Sequence, residues 1–243
     1  MNPVVMQLTA RGLTGRKRGL LLVLLPAALL LLAALVRWAS GGDVFQAVGL
    51  VDNFGLGTLL PLTCLLIGVG VVGTEIDDGS IVYLLAKPMA RRTILLSKLA
   101  VAWGAALVFA VVPLVLACLI TAGDPGEITS AVAVTATLSA LAYTTVFVAL
   151  AVASRNAVIT GLLYALVWET ILGGYVPGVK NASIRQWALA AGEQVLGRDR
   201  ATSLSLASQV SVEAGVGLLA AAVVVAAFIA VRRLQTIRLT TGQ

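Results

Sequence analysis

Six stretches of this sequence stay apolar for 17 residues or more: 20–36, 56–73, 99–121, 130–153, 157–173 and 215–231. A helix of that length is what crossing about 30 Å of hydrocarbon requires. A soluble domain of 243 residues could not cover such runs, because only 12% of its residues are charged and 59% are hydrophobic. The expectation is an all-α, polytopic membrane protein with six transmembrane helices in a single domain spanning 1–243. Pro26, Pro61 and Pro113 fall in or near these runs. They do not veto helices there, since neighbouring helices re-satisfy the freed backbone groups. Recurrent Gly and Ala suit close helix approach in lipid.

Residues 1–18 read as an N-terminal interfacial helix. Met1, Val4, Val5 and Leu8 share one helical face, and Arg11, Arg16, Lys17 and Arg18 follow. A signal peptide would need a small-x-small cleavage site before Arg37, and none is convincing. Counting Lys and Arg on alternate sides of the six runs gives 12 on the side of the N-terminus and 5 on the other. By the positive-inside rule both termini are cytoplasmic. The net charge of +6 is then a topology signature, and nucleic acid is excluded as a partner. There is no histidine, and the cysteines, Cys64 and Cys118, each lie alone in an apolar run. Zinc centres, histidine triads and metal sites have no basis in such a sequence.

Two links exceed turn length: a cytoplasmic one at 74–98 and an external one at 174–213. In the external segment, Ile184, Trp187, Ala188, Ala191 and Val195 fall on one helical face behind Ser183, a potential cap. The reading is short external helices between spans five and six, either dipping into the outer leaflet or lying on the surface. Glu169 is the one acid well inside an apolar run. It either sits at the interface beside Trp168 or lines a substrate path, because an ionised side chain costs about 3 kcal/mol at mid-bilayer. Gly68-Val-Gly70-Val-Val-Gly73 spells a dinucleotide fingerprint, but within an apolar helix these glycines serve packing. Gly192 to Gly197 resembles a phosphate loop and lacks its lysine.

The cytoplasmic link is the richest stretch. Glu75, Asp77 and Asp78 come first, read as the acidic start of a short helix. Ile81, Leu84 and Leu85 form an apolar stripe, Pro88 ends that helix, and Arg91, Arg92 and Lys98 open the next span. A plain re-entry turn leaves its 25 residues and three acids unexplained.

In that run Glu75, Gly79, Leu84, Leu85, Pro88, Arg91 and Lys98 resemble, position by position, the motif between the second and third spans of type-2 ABC transporter permeases (the ABC-2 type exporter family). Ser80 stands where threonine is more usual. The resemblance implies that 74–98 forms a cytoplasmic coupling helix docking on a separate ABC ATPase subunit. Glu75, Asp77, Asp78, Gly79, Leu84, Leu85, Pro88 and Arg91 would form the contact. It implies an ATP-driven exporter with two ATPase copies and a second permease copy or paralogue, in a bacterial plasma membrane. ATP and magnesium would belong to the ATPase; this chain would hold no cofactor and catalyse nothing itself. The alternative is a secondary transporter driven by an ion gradient, which has only Glu169 in its favour.

Overall fold

The computed structural model describes residues 3–13, 15–77, 91–123, 126–154, 156–173 and 181–236. The described residues are almost all helical, joined by short turns, with no strand among them. Helix α1 (Pro3–Leu13) is a short leading helix. Helix α2 (Arg16–Ser40) ends on Gly41, whose φ of 62° is the left-handed geometry that glycine adopts at no steric cost.

Helix α3 runs unbroken as Val44–Gly49, a π-helical segment Leu50–Leu59, and Leu60–Asp77. Helix α4 is built the same way, as Arg91–Ala106, π-helical Leu107–Val111 and Val112–Ala122. The two prolines of these helices, Pro61 and Pro113, each follow a π segment by two residues. Proline has no N–H to give the preceding turn, and a locally widened helix is one way the strain is absorbed. Helix α5 (Glu127–Ala153) is regular. Helix α6 is Ala157–Leu163 continued by a π-helical Tyr164–Leu172. Helices α7 (Ile184–Leu196) and α8 (Arg198–Ser203) precede the last, α9 (Val212–Thr236).

Five of these stretches are long and apolar enough to cross a membrane: Gly19–Ser40, Val44–Val72, Arg92–Ala122, Glu127–Ala153 and Val212–Leu234. The chain is thus an all-helical, multi-pass type of structure. The fifth expected span differs. The helix Ala157–Leu172 has 16 residues, about 24 Å of α-helix, short of the hydrocarbon thickness. The second span also differs, starting at Val44 rather than 56, because Asp52 and Asn53 interrupt the apolar run without interrupting the helix.

A third correction concerns the cytoplasmic link. Glu75 and Asp77 were expected at the start of a short helix, yet they lie within α3. Asp78, Gly79, Leu84, Leu85 and Pro88 lie outside the described residues, and Arg91 opens α4.

Helix α5 is the centre of the bundle, packed by α3, α7 and α9. Small side chains permit this: Ala136, Ala140 and Ala142 are fully buried. Gly68 of α3 shows how close the backbones come. A Cβ there would lie 2.7 Å from Phe147 Cβ and 3.1 Å from the carbonyl carbon of the same residue. Gly68 therefore serves helix packing, as the fingerprint's place in an apolar helix led us to expect.

Candidate functional site

Polar side chains that cannot face lipid converge at one end of the bundle. Four contacts between distant parts of the chain define that end. Arg37, in the last turn of α2, donates to the carbonyl of Thr121 in α4 at 3.0 Å. Arg200 of α8 pairs with Glu127 at the start of α5. Arg185 of α7 pairs with Asp52 of α3. Glu169 of α6 meets the start of α7.

Glu169 is only 1% exposed, and both carboxylate oxygens are used. Its Oε1 accepts from the backbone N–H of Ile184 at 2.9 Å and from the Tyr164 hydroxyl at 3.0 Å. Its Oε2 accepts from Ser183 Oγ at 2.5 Å, the length of a charge-assisted O–H···O⁻ bond. The Ile184 N–H is one of the four orphan donors that open helix α7. A buried carboxylate on another helix thus fills the role a capping side chain usually fills, aided by the helix dipole. Ser183 was expected to cap α7. It makes no capping bond and lends its hydroxyl to Glu169 instead. Glu169 is thus buried and fully hydrogen-bonded within the chain.

Tyr164 is positioned by an aromatic row. Tyr143 stacks on Phe147 with ring centroids 6.1 Å apart, and Phe147 meets Tyr164 edge-on, also at 6.1 Å. One residue beyond Glu169, Thr170 Oγ1 shares its hydroxyl hydrogen between the carbonyl of Gly57 and that of Ala165 in its own helix, each at 3.0 Å. Gly57 lies in the π segment just ahead of Pro61, where the missing proline N–H leaves the carbonyl ladder one donor short. Helix α6 resupplies it.

Asp52 is 8% exposed and was missed by sequence reading. The signal was available: an acid set between Val51 and Asn53 inside a continuous helix pattern, 133 residues from the one arginine of the external segment that it meets. Arg185 belongs to α7, one residue after the N–H held by Glu169. The two carboxylates therefore grip the same turn of α7 from α3 and from α6.

Helix α7 buries Ile184, Ala188, Leu189, Gly192 and Leu196 against the bundle. Val195 is 42% exposed and Trp187 half-buried, so the expected face is rotated toward Leu189 and Leu196. A Cβ on Gly192 would run into Thr135 Oγ1 and, at 2.9 Å, the Ala131 carbonyl. That makes the phosphate-loop spelling at Gly192 a packing contact between α7 and α5.

At the opposite end, Lys98 of α4 is 3% exposed, and its Nζ donates to the Val71 carbonyl of α3 at 2.8 Å. The two stems of the segment 78–90 are therefore joined below it. An apolar cavity of about 370 Å³ lies between α2, α3 and α6, lined by Leu22, Leu25, Leu65, Leu66, Val69 and Leu162 among others. Among the described residues, no group of three or more His, Cys, Asp or Glu could hold a metal ion.

An apolar helical bundle with its polar contacts gathered toward its ends is the architecture of a multi-pass membrane protein. Residues 29–234 match the family described as "Protein of unknown function (DUF2705)", and the chain belongs to that family. No curated protein matches it.

Proposed function

We propose that this chain is the membrane-spanning permease subunit of an ATP-driven ABC transporter of the ABC-2 type, acting as an exporter with a separate ATPase subunit. One observation carries the reading: the helices on either side of the motif-bearing segment are clamped together by the Lys98–Val71 bond. A segment held that way transmits a push at its tip to α3 and α4 together, which is what coupling to an ATPase demands.

Two further features support it. Glu75 and Asp77 lie on α3 as it enters the motif-bearing segment, where their charge suits a cationic partner. The end of the chain that carries the segment holds 12 Lys and Arg against three acids, Glu75, Asp77 and Asp78. That end faces the cytoplasm by the positive-inside rule, where an ATPase resides. In this reading α6 completes a sixth crossing, shortened because α7 fills the outer level beside it. Both termini are cytoplasmic, and two copies, or one copy and a paralogue, enclose the path in a bacterial plasma membrane. The apolar cavity of about 370 Å³ suits an apolar cargo.

The test is co-purification of the ATPase encoded with this chain. Leu84→Ala with Leu85→Ala removes two side chains worth about 1.5–3 kcal/mol each when docked. The pair should abolish pull-down at matched membrane abundance. Unchanged pull-down, or robust ATP hydrolysis by the isolated chain, refutes the reading. Transport that persists without any ATPase and follows an ion gradient would instead support a secondary transporter.

A further inference from the structure

We infer that the polar cavity beside the Asp52–Arg185 pair is a binding site for a small zwitterion, a molecule carrying an ammonium and an anionic phosphate or carboxylate oxygen. The cavity measures about 240 Å³, and its walls include Asp52, Asn53, Arg185, Gln186, Ser205 and Gln209. At about 30 Å³ per water it has room for roughly eight waters, or for one small polar molecule or a single lipid headgroup. Its chemistry sets it apart from the rest of an apolar molecule.

Three buried polar atoms of these walls have no hydrogen-bond partner: Asp52 Oδ1, Arg185 Nε and Gln186 Oε1. Asp52 is more than nine-tenths buried, and its other oxygen is held by Arg185. A buried ion pair is favourable only when its remaining lone pairs and protons are also satisfied. Here each partner keeps one buried group unsatisfied, and both residues line the same cavity. The backbone of the wall is unusual too. Ser205 has φ 59°, the one positive-φ non-glycine among the described residues. Such strain persists where surrounding structure enforces it, typically around ligand sites.

The unmatched atoms define the ligand. Two are acceptors, one of them on a carboxylate, and they call for a cationic N–H donor. The third is a guanidinium N–H and calls for an anionic oxygen. A simple anion would be repelled by Asp52 and a simple cation by Arg185, so the ligand carries both charges. The site lies at the end of the bundle that holds Arg37, Glu127 and Arg200, the level of headgroups and water rather than of acyl chains. A free zwitterion and a phosphatidylethanolamine headgroup offer the same chemistry from two sources.

The experiment uses the full chain in phosphatidylcholine nanodiscs and follows the thermal unfolding midpoint. Soluble phosphoethanolamine is one arm, soluble phosphocholine the control, and discs containing phosphatidylethanolamine the other arm. A rise on the order of 5 °C is expected with an ethanolamine group, and none with the choline analogue, which has no N–H to donate. A response to the soluble probe assigns the site to free zwitterions, and a response only to the ethanolamine lipid assigns it to headgroups. Gln186→Leu leaves the ion pair in place and should erase the response. Asp52→Asn should erase it as well, and if that variant fails to fold, Gln186→Leu still decides. No shift with either source, equal shifts with phosphocholine, or a response surviving Gln186→Leu would overturn the assignment.

Discussion

Thr170 Oγ1 sits 3.0 Å from the carbonyl oxygen of Gly57, in the π segment where Pro61 leaves the helical ladder one donor short. A proline in one helix is thus compensated by a hydroxyl in another, and the two helices are tied at that level. The bond makes a prediction. Thr170→Val keeps the shape and removes the donor, so it should destabilise the chain by about 1 kcal/mol, while Thr170→Ser should be close to neutral. Thermal unfolding in detergent measures the difference. Equal midpoints for the valine and serine variants would show that the Gly57 carbonyl finds its partner elsewhere.

Glu169 supplies a second case. Glu169→Leu leaves the Ile184 N–H, Ser183 Oγ and the Tyr164 hydroxyl facing an apolar side chain. A loss of about 3 kcal/mol or more is expected for breaking such a buried network. Glu169→Gln retains an oxygen for Ile184 and should cost about half as much. If Glu169 also serves transport, the glutamine variant assembles normally yet alters transport. Loss of the end of α7 should appear as faster hydrogen exchange across Ile184–Leu196 in the leucine variant.

The membrane class and most helix positions could be read from the sequence because apolar length is a one-dimensional property. The polar end could not. Asp52 and Arg185 are 133 positions apart, and Glu169 meets a backbone N–H whose existence as an orphan depends on where α7 begins. The face of α7 was misjudged for the same reason. Periodicity places Val195 with Ile184, but the groove between α5 and α9 selects Leu189, Gly192 and Leu196 instead. The acids Glu75 and Asp77 were assigned to the start of a new helix because a helix dipole favours negative charge there. The backbone carries α3 on through them to Asp77.

Gly68 and Gly104 should respond in opposite ways to the same change. A Cβ at Gly68 meets the Phe147 backbone, whereas one at Gly104 meets nothing within 4 Å. Gly68→Ala should therefore cost about 1–3 kcal/mol by forcing α3 and α5 apart. Gly104→Ala should be neutral or stabilising by up to about 1 kcal/mol, through helix propensity alone. Unfolding midpoints of the two variants test the claim that small residues set the distance between α3 and α5.

The last prediction decides between five crossings and six. Cys64 and Cys118 are buried and free, so replacing both with alanine gives a background for single-cysteine labelling. With six crossings, Lys87→Cys and Arg238→Cys both face the cytoplasm, and a membrane-impermeant thiol reagent reaches them only after permeabilisation. Val195→Cys, at a position 42% exposed on α7, should label in intact cells. If Ala157–Leu172 fails to cross, α9 runs in the other direction and position 238 labels from outside while position 87 does not. The basic residues Arg232, Arg233 and Arg238 would then stand on the external side, against the charge rule that orients the rest of the chain. Labelling of position 87 from outside would invert the whole topology and remove the segment 74–98 from any cytoplasmic ATPase.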